Sequence, residues 1–489
     1  MTQSENIKRK SVGGALSYSL RTGLVYVIAL IATGILSAWL TPAEFGVFFI
    51  VTAIITFFTF LSDVGLAAAL VQKKTEPSLT ELRTTFTVQQ LLALIIFGLV
   101  IALTPVWRSQ MKLNQDGLWL LYALGFSFFL ASLKTIPSIL LERELNFARL
   151  AVPQVVEQLV YYLVVVWLAY HHFGVTSFTG GVLVRGVIGV IMMYSLKRWS
   201  MGLALNRAAL KGLLTFGVKF QANDFLARLK DDLYFIILAK FMPVTYMGYL
   251  GWAKRWSLFP YQFSVQNIIA VTFPTFARVQ QDKAMISRGL EVSVYFISLI
   301  IFPILAGMMV LALPITIAIP AYQKWQPALP ALYFFCLNIA LAAVANPFIS
   351  ALNAMGQINA TLRLMIAMTL GTWLLTPIMV RYFDFVGVAI LSSLVAAGSL
   401  VGYRIIKQKL SVRLWPQVAL PLSLSLVTGV TLWLYQQLTP VNLTHLGLQL
   451  VLGSLIHLGG WWFWGRRRLA ANLNLILPPG KLNSWLKKV

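Results

Sequence analysis

GLLTFGVKFQANDFLARLKDDLYFIILAKFMPVTYMGYLGWAKRW, residues 212–256, reads as two membrane-spanning helices joined by a turn at Met242-Pro243. The stretch is nonetheless rich in charge. Lys219, Asp224, Arg228, Lys230, Asp231 and Asp232 fall on the first helix, and Lys254 and Arg255 on the second. An ionisable side chain deep in a bilayer costs about 2.5–3.5 kcal/mol on insertion scales, so such groups face a bundle interior or a watery cavity. At about 100° per residue, Gln221, Asp224, Arg228, Asp231 and Asp232 share one broad face. Asp224–Arg228 and Arg228–Asp232 are i,i+4 pairs. One reading is that these charges neutralise one another inside the bundle. That reading leaves Lys254 and Arg255, which have no acid within one turn, and cations so placed point to a lumen that receives an anion.

Outward from this stretch the whole chain has the same character. Of 489 residues, 58% are hydrophobic and 11% charged, which is the composition of a polytopic membrane protein. Apolar runs of about 20 residues, the length that crosses roughly 30 Å of hydrocarbon, recur along it. The single cysteine, Cys336, excludes a disulfide framework or a cysteine metal site. The net charge of +24 does not signal nucleic acid, because the basic residues sit mostly in short loops between spans. Contact with anionic lipid headgroups is the modest further role of those loops.

Before the central stretch, spans are expected at about 12–40, 47–71, 85–106, 117–141, 152–170 and 177–196. After it they are expected at about 292–313, 329–352, 362–380, 386–406, 416–438 and 446–464. The fold expected is all-α, with about fourteen transmembrane helices. Lys8, Arg9 and Lys10, Lys197 and Arg198, Lys407 and Lys409, and Arg466–Arg468 fall on one side of the membrane. The other side has Arg108, Lys112, Lys240, Lys324 and Arg381. This bias puts both termini in the cytoplasm. Leu40-Thr41-Pro42 leading to Phe45-Gly46 resembles Met242-Pro243 leading to Tyr246-Met247-Gly248, with one residue inserted. Both turns join the first two spans of a half, so the halves are parallel repeats facing a central cavity. The division expected is an N-lobe over 1–205, a C-lobe over 206–410, and 411–489 holding the last two spans and a basic tail.

Several polar residues fall inside spans. Arg21 lies about two turns inside the first, where it either snorkels to the headgroups or faces the cavity. Gln154, Glu157, Gln158 and Tyr161, at i, i+3, i+4 and i+7, form a polar stripe on the fifth. Glu157 either pairs with Arg185 of the sixth span or acts on substrate or protons. Gln262, Gln266 and Asn338 are candidates for sugar contacts or for helix packing. Asp63 reads as a helix-end partner for a nearby cation. His171-His172 diverge as i,i+1 neighbours, so no metal site and no cofactor are expected.

Four stretches carry a family resemblance: Leu40-Thr41-Pro42-Ala43-Glu44-Phe45-Gly46, residues 62–72 (SDVGLAAALVQ), Leu141–Phe147 (LERELNF) and Thr272–Gln280 (TFPTFARVQ). Over roughly 12–413 the chain resembles bacterial polysaccharide exporters of the Wzx type, in the branch exporting colanic-acid-like and teichuronic-acid-like polymers. That branch belongs to the superfamily that includes lipid II flippases and multidrug-extruding MATE antiporters. The resemblance implies a flippase that moves a polyprenyl-pyrophosphate-linked oligosaccharide to the outer leaflet of the bacterial inner membrane, through a cavity between two six-helix lobes. It implies work beside the polysaccharide polymerase and chain-length machinery. A monomer is expected because two lobes in one chain already make the cavity, and no enzyme is expected because the connections are short. Arg21 and Arg255 match cavity arginines on the first and eighth helices of lipid II flippases. The acidic neighbour of the first of these is replaced here by Thr22, which weakens the lipid II reading.

The cavity cations expected are thus Arg21, Arg255, Lys254, Arg228 and Lys219, since arginine meets phosphate in a forked geometry. Asp224, Asp231, Asp232, Glu157 and Glu291 are the candidates for coupling to protons or sodium. Gln154, Gln158, Tyr161, Gln262 and Gln266 are the candidates for the sugars. Two other classes compete. A cation-coupled antiporter for drugs or metabolites would favour an acidic cavity. A membrane enzyme acting on lipid-linked glycan would need a catalytic loop outside the spans.

Overall fold

The computed structural model describes residues 3–63, 65–73, 75–144, 146–214, 233–278 and 281–466. Among these the chain is helical and without strands. Among the described residues, eleven helices are long and apolar enough to cross a membrane. Three expected spans fall outside that set, each for its own reason. The second is the helix Pro42–Asp63, whose apolar part Pro42–Phe58 is the stretch described with its side chains. Most of the seventh, with Lys219, Asp224, Arg228, Asp231 and Asp232, lies outside the described residues. The eighth is part of a long helix, Val244–Arg278, which carries Lys254 and Arg255.

The chain forms two compact units, Met1–Trp252 and Ala253–Val489. The first begins with α1 (Gln3–Trp39), α2 (Pro42–Asp63) and α3 (Leu66–Gln72). It continues through α4 (Leu79–Ala102), α5 (Thr104–Gln110), α6 (Gln115–Leu133), α7 (Thr135–Arg143), α8 (Phe147–Tyr170) and α9 (Thr176–Leu196). Then come α10 (Tyr234–Phe241) and the start of α11 (Val244–Arg278). Helix α8 packs along α9 and α1, and α6 packs along α9. The second unit holds α12 (Lys283–Ala318), α13 (Leu329–Ala354), α14 (Ile358–Phe383), α15 (Val386–Ser399), α16 (Val401–Lys407), α17 (Leu414–Leu438) and α18 (Leu443–Gly460). There α12 packs on α17 and α13, and α13 on α15. Helix α14 buries only Thr361 and Thr376.

Two spans expected to be continuous are broken. The second breaks at Gly65, whose φ of 76° is left-handed and open to glycine without steric cost. The fourth breaks at Lys134, between α6 and α7. Pro137 is the cause. It has no N–H to give to the Leu133 carbonyl, and its ring would clash there in a continuous helix. The Tyr194 hydroxyl of α9 donates to that orphaned carbonyl instead, at 2.8 Å.

Three of the stretches that carry the resemblance are helix ends held in place. Thr41 and Glu44 form a capping box at the start of α2, the Glu44 carboxylate accepting from the Thr41 N–H at 2.6 Å and the Thr41 hydroxyl accepting from the Glu44 N–H at 3.3 Å. Asn146 caps α8, its side-chain oxygen accepting from the Arg149 N–H. Arg143 closes the far end of α3. Its Nη1 donates to the carbonyls of Leu70 at 2.7 Å, Val71 at 3.2 Å and Lys73 at 2.8 Å, and its Nη2 to that of Thr75 at 2.9 Å. Two of the quoted stretches, Ser62–Gln72 and Leu141–Phe147, therefore meet in space.

Between α9 and the second half, the connection after Lys197 runs back along α4. The Thr87 hydroxyl accepts from the Ala204 N–H at 3.0 Å, and the Thr84 hydroxyl from the Asn206 N–H at 3.2 Å.

Candidate functional site

Inside the first unit, α1, α6, α7, α8 and α9 enclose a cavity of about 570 Å³. Its charged lining is Arg21, Lys134, Arg185, Glu142 and Glu157, with Gln154 and Gln158 among the neutral polar residues. Three bases face two acids in this lining.

Local sequence explains how these groups reach one place. Gln154, Glu157 and Gln158 are i, i+3 and i+4 on α8 and so share a face. Arg185 and Gly189 are i and i+4 on the facing side of α9. Lys134 enters because α6 stops there: the break frees it from a helical face. Arg21 comes from α1 and donates through Nη1 to the Gln154 side-chain oxygen, and through Nη2 to the Thr22 hydroxyl at 3.2 Å.

Glu157 is the centre of the charge network. Its Oε1 accepts from Lys134 Nζ at 2.6 Å, and its Oε2 lies 3.8 Å from Arg185 Nε. The side chains of Glu157 and Lys134 are only 9% and 14% exposed, while that of Arg185 is 45% exposed. The absence of a side chain at Gly189 makes the pair possible: a Cβ there would overlap the Glu157 carboxylate and lie 2.6 Å from Lys134 Nζ. The Arg185 guanidinium carbon sits 5.8 Å from the centre of the Tyr161 ring, a cation–π distance. Glu142, at the end of α7, has no base on its carboxylate among the described residues, and burial pushes its carboxyl above the ordinary value of 4.5.

The structure brings together Arg21, Gln154, Glu157 and Gln158, all in the cavity wall, with Tyr161 buried behind Arg185. The expected Glu157–Arg185 pair is present at 3.8 Å, and Lys134 joins it as a second, closer partner at 2.6 Å. Lys134, Arg185 and Glu142 were not singled out for the site by sequence. A lone cation interrupting an apolar run two residues before Ile136-Pro137 was the available signal for Lys134.

Other candidates sit elsewhere. Lys254 and Arg255 are half-buried on α11, where the Arg255 guanidinium carbon lies 5.9 Å from the Phe259 ring centre. Gln262 is half-buried and Gln266 exposed on the same helix. Asn338 donates to the Ser392 carbonyl at 2.6 Å, joining α13 to α15. Glu291 accepts from the Arg413 N–H at 2.8 Å and from Gln417 Nε2 at 3.2 Å, so it holds the start of α17. The Asp63 side chain, like the seventh-span charges, lies outside the described residues.

A family model described as polysaccharide biosynthesis protein matches residues 35–330. The lipopolysaccharide biosynthesis protein WzxC of Escherichia coli strain K12 is 24% identical over 365 residues, covering 73% of this chain and 73% of its own. The succinoglycan biosynthesis transport protein ExoT of Rhizobium meliloti strain 1021 is 22% identical over 358 residues, covering 73% and 72%. Among solved structures, the lipid II flippase MurJ in its inward closed conformation aligns with a TM-score of 0.75 at 13% identity, over 92% of this chain and 99% of that one. At that identity the likeness is one of fold.

Proposed function

Because the chain belongs to the polysaccharide biosynthesis protein family, we propose that it is a flippase moving a polyprenyl-pyrophosphate-linked oligosaccharide from the cytoplasmic to the outer leaflet during exopolysaccharide, O-antigen or capsule assembly. The observation that carries this reading is the cavity of the first unit, where Arg21, Lys134 and Arg185 outnumber Glu142 and Glu157. A pyrophosphate is a multiply charged anion, and in a site shielded from water such an excess of base is worth far more than it is at a surface. Gln154 and Gln158 add the neutral donors and acceptors that sugar hydroxyls need. A cavity built for organic cations would have the opposite sign.

The fold of a lipid II flippase and the names of WzxC and ExoT, which refer to lipopolysaccharide and succinoglycan biosynthesis, support the reading. The site is a bacterial inner membrane with both termini in the cytoplasm, as the loop charges favour. The protein acts as a monomer beside the polymerase machinery. Lys254 and Arg255 are further candidates for anion contact, and Asp224, Asp231 and Asp232 for coupling to protons or sodium.

Deletion of the gene in its host tests the proposal. Accumulation of one complete lipid-linked repeat unit on the cytoplasmic leaflet is the expected result. Unchanged lipid-linked sugar, with altered sensitivity to cationic drugs, would instead assign the chain to cation efflux.

A further inference from the structure

Arg185 differs from every other base in the cavity. Lys134 is spent on Glu157 at 2.6 Å and is nearly buried. Arg21 is engaged by Gln154 and Thr22. Arg185 touches Glu157 only through Nε, at 3.8 Å, which is beyond hydrogen-bond reach, and rests against the Tyr161 ring. Nothing among the described residues accepts a hydrogen bond from its Nη1 or Nη2. The side chain is 45% exposed and lines the cavity.

This is a guanidinium held from behind and open in front. Glu157 fixes the Nε edge by charge, and the Tyr161 face supports the plane. The remaining Nη edge is the forked donor pair that matches two oxygens of one phosphate. The loose 3.8 Å contact is one that an incoming anion replaces without leaving a bare carboxylate, because Lys134 stays on Glu157.

We propose that Arg185 is the residue that receives the pyrophosphate of the lipid-linked substrate, through its Nη edge, with Glu157 as the internal carboxylate that positions it while the cavity is empty. This rests on the flippase reading given above. It adds a role for a residue whose sequence context suggested only a helix–helix ion pair.

The consequences are specific. An ammonium cannot make the planar forked contact, so Arg185→Lys is not a conservative change here. Glu157→Gln keeps an acceptor for Lys134 and removes a negative charge that competes with the substrate.

The test is binding of undecaprenyl pyrophosphate to the purified full chain in nanodiscs. Arg185→Ala is expected to weaken binding about tenfold or more, the loss of one or two charge-assisted hydrogen bonds. Arg185→Lys should fail to restore it, and Glu157→Gln should bind at least as tightly as the unaltered protein. Wild-type affinity in Arg185→Lys would overturn the assignment, and this variant carries the test should Arg185→Ala not fold. Binding that is lost in Arg21→Ala but unchanged in Arg185→Ala would also overturn it, while leaving the flippase reading intact. Failure of the unaltered protein to bind the probe would count against that reading itself. Free glucuronate displacing the probe as well as inorganic pyrophosphate does would assign the edge to an acidic sugar instead, and the phosphate assignment would fall.

Discussion

Gly46 and Gly248 sit in each other's turns: a Cβ on Gly248 would overlap the Pro42 carbonyl oxygen, and a Cβ on Gly46 would overlap that of Val244. These are corresponding positions of the two repeated turns, so the repeat visible in the sequence is also a contact. Helix α10 packs on α2 beside it, and Trp252 Nε1 donates to the Ser37 hydroxyl at 2.9 Å. Gly248→Ala must push backbone away from backbone. Loss of about 1–3 kcal/mol or more is expected, read as a lower thermal unfolding midpoint. Gly98→Ala, where a Cβ meets nothing within 4 Å, is the control and should leave the midpoint unchanged or raised. Equal midpoints for the two variants would contradict the close approach.

Arg143 satisfies four carbonyls at the end of α3 and in the loop beyond it. Arg143→Ala orphans them together, and about 1.5–3 kcal/mol is the expected cost for hydrogen bonds to a charged donor. Arg143→Lys should recover little, since one ammonium cannot serve both edges of the fork. Limited proteolysis within residues 71–78 gives the readout. Faster cleavage in both variants is expected, and cleavage at the unaltered rate in Arg143→Lys would show that charge alone holds the loop.

The Lys134–Glu157 pair predicts a non-additive cycle. Lys134→Met leaves a carboxylate that is 9% exposed, with only the loose Arg185 contact. Breaking one side of a buried pair costs about 3–5 kcal/mol, and the Arg185 contact places this case near the lower end. Lys134→Met combined with Glu157→Gln should be more stable than Lys134→Met alone. Additive losses in denaturation midpoints would mean that the two side chains do not act as a pair.

Glu142 makes stability depend on pH. Its carboxyl is raised by burial, so the folded state holds its proton more tightly than the unfolded chain does. The resulting stability is fully present below the ordinary value of 4.5 and is lost as pH rises through the raised value. Glu142→Gln removes that loss. Its melting temperature should exceed that of the unaltered protein at neutral pH and converge with it towards pH 4. Parallel curves across that range would refute the assignment.

In three of the four stretches by which the chain resembles polysaccharide exporters, residues proved to be architecture. Thr41 and Glu44 cap α2, Asn146 caps α8 and Arg143 clamps α3. Such features are legible in sequence because caps and turns depend on residues a few positions apart. The cavity residues are a different matter. The stripe of Gln154, Glu157 and Gln158 is visible, since it repeats at helical spacing on one element. Of its partners, the sequence suggests Arg185 but not Lys134. Lys134 reaches Glu157 only because Pro137 stops α6, and Arg185 faces the same carboxylate because Gly189 lets α9 come close.

The sequence by itself determined an all-helical, multi-pass membrane protein, the approximate place of most spans, and the family. Hydrophobic run length and local capping set these, and both act within one segment. Only the tertiary structure decided which charges meet. That Lys134 holds Glu157 more closely than Arg185 does depends on the packing of α6, α8 and α9. No spacing along the chain encodes a distance between helices.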